Sequence, residues 1–268
     1  MSRPLDPERP GKFSSSLVAG LLVLTCFTPE HPVRGIADMA EALDLKRSTT
    51  HRYARTLVTL GYLEQNPSRQ YRLSARVSDV GLSLLDSIAI RRVAREPLRE
   101  LRALTGRTAS LGVLWGAEVA CIDRWQGSRQ GQHAVDEGIG VGTRLPVHCT
   151  AAGKALLARL PVAEQQDLIA RLRLTRRAPG TIVSKAALRA ELEAIVAEGG
   201  VGVEDEELSA GRRAIAAVVV DVDGRPVAAV ELAVPAEAYT RKKLLGQLGP
   251  KVIATARNIV VALGETPA

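Results

Sequence analysis

The spacing of apolar positions predicts helices in the first part of the chain. Apolar residues recur there every three to four positions, the repeat of an amphipathic helix. Helices are predicted over about 14–27, 34–43 and 46–60, the first of them capped by Ser14–Ser16. Two short strands follow, "YLEQ" and "QYRLS", around the turn Asn66-Pro67-Ser68-Arg69. Helix, helix, turn, helix and hairpin is the order of a winged helix-turn-helix.

The apolar repeat changes from helical to alternating at Thr108. Strands are predicted over 108–115, 118–125, 213–221 and 226–234, with hairpin turns at Gly116-Ala117 and Asp223-Gly224. Helices are predicted within "TAAGKALLARL" and over about 162–172, 185–198 and 237–263. A helical pattern from Val77 to Leu104, interrupted before Pro97, joins the two halves. The mixed order of strands and helices predicts an α+β fold with an antiparallel sheet.

Charge is concentrated in the predicted helix-turn-helix. The 268 residues carry a formal net charge of +7, and aromatic residues make up only 3%, so the cores must consist mainly of aliphatic side chains. Residues 46–76 contain one acidic side chain, Glu64, against seven basic ones: Lys46, Arg47, Arg52, Arg55, Arg69, Arg72 and Arg76. Such a local basic patch indicates an anionic partner.

The third predicted helix, "KRSTTHRYARTL", separates two faces. Thr50, Ala54, Leu57 and Val58 form the face predicted to be buried. The opposite face carries Ser48, Arg52, Arg55, Thr56 and Thr59. A solvated helix, an acidic-membrane binder and an anion site of an enzyme are the alternatives to DNA binding. The agreement of two helices, a tight turn and a basic hairpin favours double-stranded DNA, since Arg can read guanine in the major groove.

Cysteine usage and hydropathy bear on compartment. Three cysteines, Cys26, Cys121 and Cys149, are odd in number and widely spaced, which indicates a reduced, cytoplasmic compartment and no metal cluster. The apolar run "LVAGLLVLTCF" is shorter than the roughly 20 residues that span a bilayer, and it lacks a small-residue cleavage site, so no membrane role is expected.

Longer motifs resemble the isocitrate lyase regulator (IclR) family of bacterial transcription factors. The stretch "IADMAEALDLKRSTTHRYARTLVTLGYLEQNPSRQYRLSARVSDVG" is similar to the helix-turn-helix and wing of that family. The stretches "LPVHCTAAGKALLA", "TRRAPGTI", "ELEAIVAEGGVGVEDEELSAG" and "AAVVVDVDGRPVAAVELAVP" are similar to its effector-binding domain. The resemblance covers about residues 16–264.

The resemblance implies a domain order and two sites. Residues 1–13 would be a disordered arm, 14–76 a winged helix-turn-helix, 77–95 a linker helix, and 96–268 a GAF-like effector-binding and oligomerisation domain. Homodimers, or homotetramers, would bind palindromic operators. The predicted DNA contacts are Lys46, Arg47, Ser48, Thr49, His51, Arg52, Arg55, Arg69 and Arg72. The resemblance places a small-molecule effector against Ala151, Ala152, Glu204, Ala214, Glu231 and Ala233.

This chain departs from the family at the predicted effector site. Members that bind small carboxylates tend to carry Ser where Glu231 and Ala233 stand, and often Cys where Ala214 stands. Glu231 could be a solvated, salt-paired surface residue, or it could line the pocket. An unpaired Glu231 would favour an effector with a hydroxyl, amine or amide donor. A Glu231 paired with Arg144 or Arg213 would leave an organic acid as the expected effector. The backbone amides at the start of the "AAGKAL" helix would bind this acid.

Two other functions are left as alternatives. The second domain could serve assembly alone, without an effector. Separately, the predicted linker helix has more apolar positions than a free helix needs, and these are predicted to pack in a dimer: Val77, Val80, Leu84, Leu85 and Ile88. The chain could also be an enzyme with a DNA-binding domain. Against an enzyme, "TAAGKA" lacks the phosphate-loop spacing, and neighbouring His148 and Cys149 would point to opposite sides of an extended segment. No cofactor is expected.

Overall fold

The computed structural model describes residues 14–264 except 29, 80, 82–87, 129–134 and 136–137. It divides into two compact units, with the boundary between residues 87 and 88. The predicted arm and the middle of the predicted linker helix, including Val80, Leu84 and Leu85, lie outside the described residues. Within the described part of the chain, no helix is long and apolar enough to cross a membrane.

The first unit contains three helices whose bounds are described and a small antiparallel sheet, and residues 76–79 are also helical. Its elements are α1 (Ser15–Thr25), β1 (Val33–Arg34), α2 (Ile36–Ala42), α3 (Arg47–Thr59), β2 (Leu63–Gln65) and β3 (Tyr71–Leu73), with strand order β1-β3-β2. Helix α1 begins where predicted, because the Ser14 hydroxyl accepts a hydrogen bond from the Leu17 N–H at 3.3 Å. Met39 of α2, Ala54 of α3 and Tyr71 of β3 are buried together in the core.

A tight turn sets the direction of α3. Asp44 adopts a left-handed conformation with φ 51°, which the short Asp side chain tolerates better than most residues. The Leu45 N–H then donates to the Ala40 carbonyl at 2.9 Å and closes the end of α2. Helix α3 therefore leaves the turn in one defined direction. The predicted winged helix-turn-helix is confirmed.

The second unit is built around a six-stranded antiparallel sheet. Its strands are β4 (Thr108–Trp115), β5 (Glu118–Trp125), β6 (Arg144–Pro146), β7 (Val201–Asp205), β8 (Arg212–Val220) and β9 (Pro226–Pro235), in the order β6-β5-β4-β9-β8-β7. Its helices are α4 (Ala89–Thr105), α5 (Ala151–Arg159), α6 (Val162–Arg171), α7 (Lys185–Ala197), α8 (Arg241–Gln247) and α9 (Gly249–Gly264). Helices α4 and α9 pack on one face of the sheet and α5 packs on the other. The predicted α+β class is confirmed.

Helix α5 packs unusually close to the sheet because small residues face it. A Cβ added at Gly202 would lie 2.3 Å from the Ala151 carbonyl oxygen, closer than any real contact. Ala214, Ala216 and Ala229 are fully buried on the same face. The face of the sheet toward α5 is thus rich in alanine and glycine, with the larger Val119 and Val218 beside them.

Two predicted boundaries in this unit are wrong. Helix α4 continues through Pro97 instead of being interrupted there, because its buried stripe of Ala94, Leu98 and Leu101 keeps helical spacing on both sides of the proline. The predicted helix over 237–263 is two helices, α8 and α9, which are separated at Leu248, and α9 begins with Gly249-Pro250. Pro250 fits this position because the first N–H groups of a helix have no partner within the helix, so the N–H that proline lacks is not needed.

Candidate functional site

The exposed face of α3 is basic and its first turn is open. Lys46, Arg47, Ser48 and His51 are exposed and Thr49 is half-buried. Lys46 is the N-cap and makes no side-chain capping bond. The first-turn N–H groups of a helix have no partner within the helix, so this end can receive a phosphate oxygen.

The two arginines of α3 differ in their surroundings. Thr50, Ala54 and Leu57 are buried as predicted, whereas Val58 is only half-buried. Arg52 is exposed, but its guanidinium lies 5.4 Å from the ring centroid of Tyr53. Arg55 is exposed and has no ion-pair partner among the described residues.

The wing carries one free and one paired arginine. Arg69 lies in the turn between β2 and β3 with φ 59°, and it is exposed without an ion pair to any described residue. Arg72 Nη2 lies 2.7 Å from Glu64 Oε2 on the neighbouring strand. Since both side chains are exposed, the pair is weak. DNA phosphates would compete with Glu64 for Arg72.

An apolar groove runs along α1 beside α3. Its volume is about 680 Å³, and Leu17, Leu21, Leu24, Leu60 and Tyr62 line it. Leu17 is 63% exposed and Leu21 55% exposed, although the sequence pattern places them on the apolar face of α1. Val77 and Gly81 border the groove where the chain leaves the wing.

In the second unit, Glu231 lies at the start of α5. The Thr150 hydroxyl caps the helix and accepts from the Gly153 N–H at 3.2 Å. The Ala152 N–H donates to Glu231 Oε2 at 3.0 Å across the interior of the domain. Glu231 is 7% exposed, so the alternative of a solvated surface residue is wrong. The face of β9 that carries Glu231 is covered by α5 and is not open to solvent.

Arg212 holds Glu231 and Glu204 together. Its Nη2 lies 2.7 Å from Glu231 Oε1, and its Nη1 pairs with Glu204 Oε2. Arg212 is 1% exposed and Glu204 is fully buried. Glu204 also accepts from the N–H groups of Glu207 at 2.8 Å and Leu208 at 3.2 Å. The three side chains therefore form a buried ion cluster.

The two arginines proposed as partners of Glu231 lie elsewhere. Arg213 pairs with Asp205 and Glu206, because successive strand residues point to opposite faces of the sheet and only Arg212 points toward α5. Arg144 lies 5.0 Å from the ring centroid of Trp115. Both assignments are corrected in favour of Arg212.

A second ion cluster continues from the first. Lys154 of α5 is fully buried and lies 2.9 Å from Glu191 and 2.5 Å from Glu207. The two clusters meet where the Glu207 N–H donates to Glu204. Together they contain four carboxylates and two cationic side chains. The lysine of "AAGKA" therefore belongs to an internal network.

Burial raises the proton affinity of two carboxylates in this network, Glu204 and Glu207. Burial raises the pKa of Glu204 to about 7, and the charge of Glu231 adds to this against the opposing charge of Arg212. Burial likewise raises the pKa of Glu207, against the stabilising charge of Lys154. The network is thus short of positive charge.

The structure brings the six predicted effector residues to one end of α5. Ala151, Ala152, Glu204, Ala214, Glu231 and Ala233 are all buried. Glu204 pairs in register with Ala214, and Ala214 with Ala233, so they form one row across the sheet. Only Ala152 and Glu231 line the adjoining cavity.

The cavity has further lining residues that were not predicted. The other lining residues are Ser110, Leu111, Gly112, Val119, Cys121, Arg124, Ile139, Leu145 and Thr150. Ser110 lies in register between Glu231 on β9 and Arg124 on β5. The alternation of β4 is the signal that could have found Ser110, because it puts this small polar residue on the face opposite Leu111.

Two family profiles match almost the whole chain. The profile described as "IclR helix-turn-helix domain" matches residues 16–67. The profile described as "Bacterial transcriptional regulator IclR C-terminal" matches residues 82–261, which include the whole described cavity. The chain belongs to the IclR family.

Several IclR-family relatives are similar over most of their length. XynR, an HTH-type transcriptional regulator of Escherichia coli (strain K12), is 35% identical over 218 residues, 81% of this chain and 84% of XynR. A transcriptional regulator from Rhodococcus sp. RHA1 has a crystal structure with a TM-score of 0.83 at 35% identity, covering 94% of this chain and 99% of that one. An IclR homologue from Microbacterium hydrocarbonoxydans, solved with 4-hydroxybenzoate, has a TM-score of 0.79 at 25% identity, with 94% and 100% covered.

Like these IclR relatives, the chain is a transcriptional regulator and not an enzyme. Burial raises the pKa of the Cys149 thiol to about 12, so the thiol is protonated at neutral pH. The neighbouring His148 ring uses Nε2 to contact the Thr175 carbonyl at 3.1 Å. Burial lowers the pKa of His148, so this imidazole is mainly neutral.

Proposed function

We propose that the protein is a ligand-responsive regulator that binds a palindromic operator as a dimer. A small molecule that enters the cavity at the start of α5 raises or lowers the affinity of this dimer for the operator. The exposed basic face of α3, presented by a well-packed helix-turn-helix, carries this proposal. The buried polar cavity in the second unit supports the ligand-responsive part.

In the proposed complex, α3 enters the major groove. Lys46, Arg47, Ser48 and Thr49 at its open start would bind phosphate, while His51, Arg52 and Arg55 would face the base edges. Arg55 is the stronger candidate for base reading, because Arg52 is partly engaged with Tyr53. Arg69 and Arg72 in the wing would contact the DNA backbone.

The deciding experiment tests Arg55 on a selected operator. DNA selected from random duplexes with the full chain should contain two inverted half-sites whose centres are about 10 base pairs, or a multiple, apart. Arg55→Ala should weaken operator binding by roughly 1–3 kcal/mol and relax the preference at one base position in each half-site. The measurement is fluorescence anisotropy on the operator and on single-base variants.

The control for Arg55 is Arg189→Ala, which removes an exposed arginine from α7 of the second unit. It should leave operator affinity unchanged. If Arg55→Ala binds operator and random DNA like the parent protein, α3 does not read bases and the proposed interface is incorrect.

The proposed dimer uses the groove along α1. Its exposed leucines form an apolar surface that water disfavours, and a second copy of the chain would cover it. A two-fold axis then gives each half-site of a palindrome its own α3. Val77, at the start of the predicted linker helix, borders the groove and would belong to this contact.

The proposed effector is a small molecule. The pairing of Glu231 does not decide whether this molecule is an organic acid, as the sequence predicts. Glu231 is paired with an arginine, which by itself would leave an organic acid possible. The same carboxylate, however, accepts the Ala152 N–H, which is one of the donors that an acid would need. The class of effector therefore depends on the other groups around the cavity.

A further inference from the structure

The cavity at the start of α5 already contains a carboxylate, supplied by the chain. Glu231 contributes one oxygen to the Ala152 N–H at 3.0 Å and the other to Arg212 at 2.7 Å. A backbone N–H at a helix start and a guanidinium are the groups that usually bind a ligand carboxylate in proteins. The next N–H group of the helix, that of Gly153, donates to the Thr150 hydroxyl.

We propose that Glu231 is a built-in carboxylate ligand that fills the anion-binding part of the cavity, so that the effector is a neutral small molecule with hydrogen-bond donors, bound beside Glu231. This inference rests on the proposed function, because it names the class of effector for the same cavity. It makes Glu231 the residue that determines effector specificity.

The charge around the cavity opposes a second carboxylate. Arg212 and Lys154 already face four carboxylates of the chain, of which two, Glu204 and Glu231, share Arg212. Arg124, which lines the cavity, is a third cationic side chain, and four carboxylates then face three cations. An organic acid bound here would add a further negative charge in a region where burial makes unbalanced charge costly.

A neutral donor fits the same surroundings. Each carboxylate oxygen of Glu231 can accept more than one hydrogen bond, so a hydroxyl or amide group of a ligand can donate to it without displacing Arg212. Ser110 adds a hydroxyl to the cavity lining, whereas the Thr150 hydroxyl already donates to the Pro146 carbonyl at 3.0 Å. The described cavity has a volume of about 20 Å³, close to that of one water molecule, so an effector must move side chains on entering.

The size of the Glu231 side chain makes the proposal testable with acetate. Replacing Glu231 by Ala removes one methylene and the carboxylate, which is the size and charge of acetate. In Glu231→Ala, the Ala152 N–H and one side of Arg212 lose their partner. Added acetate should take up this place, whereas the wild-type protein has no room for it.

The experiment compares acids with their amides on both proteins. Melting temperature of the full chain is measured against sodium acetate, acetamide, sodium 4-hydroxybenzoate and 4-hydroxybenzamide, with sodium chloride as the control for ionic strength. Glu231→Ala should be stabilised by acetate in a saturable way, with an affinity at least about tenfold above that of the wild type. Neither acid should stabilise the wild type more than sodium chloride does.

Operator affinity, measured well below the melting temperature, separates an effector site from a structural ion pair. Acetate should change the operator affinity of Glu231→Ala and leave that of the wild type unchanged. A rise in melting temperature without any change in operator affinity would mean that Glu231 is only structural. If neither protein recognises specific DNA, the regulator proposal fails, while the acetate result stands by itself.

Two outcomes overturn the proposal directly. One is stabilisation of the wild-type protein by either acid to the same extent as the variant, because the anion site would then be open. The other is a variant that acetate does not stabilise. If Glu231→Ala does not fold alone, refolding it with acetate should recover soluble protein that binds operator. Refolding it with acetamide should not recover such protein. Glu231→Ser serves as the second variant.

Discussion

Arg212 makes two buried ion pairs in the second unit. It is buried between Glu204 and Glu231, and the removal of either carboxylate would leave less compensation for a charge that cannot be neutralised. Buried ion pairs are weak sources of net stability but costly to break from one side. The cluster is therefore expected to hold β7, β8, β9 and α5 in one arrangement.

The raised pKa of Glu204 predicts a pH-dependent stability. Its pKa is about 7 in the folded protein against an ordinary value of 4.5, so folding favours the protonated form. The stabilising contribution is complete below pH 4.5 and is lost as the pH rises through 7. Between pH 5 and 8 the free energy of unfolding of the wild type should fall by about 1–3 kcal/mol more than that of Glu204→Gln.

The measurement is urea denaturation followed by tryptophan fluorescence. Both tryptophans, Trp115 and Trp125, lie in the second unit, so the signal reports that unit alone. His148, whose pKa is lowered by burial, has the opposite pH effect, but it is present in both proteins and cancels in the comparison. Equal pH slopes for wild type and variant would contradict the assignment.

At the scale of single residues, sequence reasoning placed two of its six predicted effector residues at the cavity but missed the ionic partner of Glu231. Ala152 and Glu231 were found through the family pattern, and both line the cavity. Arg212 was missed in favour of Arg213, because the choice between neighbours depends on which face of β8 points to α5. That face is fixed by the strand register and by helix packing, which the local sequence does not contain.

At the scale of elements, the wing pairs one of its basic side chains with an acidic one. Glu64 and Arg72 are cross-strand partners on β2 and β3, and both are exposed. Glu64 therefore reduces the attraction of Arg72 for phosphate without contributing much stability.

Glu64→Gln should strengthen binding to random-sequence duplex DNA and make its salt dependence steeper, by up to about one unit in the slope of log K against log salt. Arg72→Ala should weaken binding to all sequences alike and make the slope shallower by a similar amount. Fluorescence anisotropy at several salt concentrations measures both effects.

Glu96→Gln is the matched control for Glu64→Gln. It removes the acid of another exposed pair, with Arg99, on α4 of the second unit. Its salt slope should equal that of the wild type. An equal rise in both variants would indicate a general effect of net charge and would remove the wing from the interface.

The elements differ in how far the sequence determines them. The hairpin of β4 and β5 has the predicted bounds, because alternation and a glycine turn are local signals. Strand β7 was not predicted, since "VGVED" lies in a glycine-rich and acidic stretch that reads as a loop. It forms a strand because it pairs with β8 and because Arg212 neutralises its buried Glu204.

For the whole molecule, the groove along α1 predicts how two copies recognise one operator. Leu21→Asp places a charge in an exposed part of the groove, so the first unit should still fold. The wild type should prefer a full palindrome over a half-site, and the variant should lose about tenfold or more of this preference at unchanged half-site affinity.

Val222→Asp is the control for Leu21→Asp, because Val222 is 88% exposed in the second unit. It should keep the full preference for the palindrome. Light scattering provides a separate check of the proposed assembly. A wild-type protein that is monomeric at micromolar concentration, both free and on DNA, would contradict the dimer.

The contact between Gly202 and α5 has a mechanical consequence. Because no side chain separates β7 from the Ala151 carbonyl, helix start and strand touch backbone to backbone, without a layer that could deform. Side-chain rotation can absorb a small shift at an ordinary helix–sheet contact, but it is not available here. A molecule that displaces the first turn of α5 must therefore move β7, the last strand of the sheet, by the same distance. We therefore expect a molecule that enters the cavity and displaces this turn to change the position of the edge strand as well.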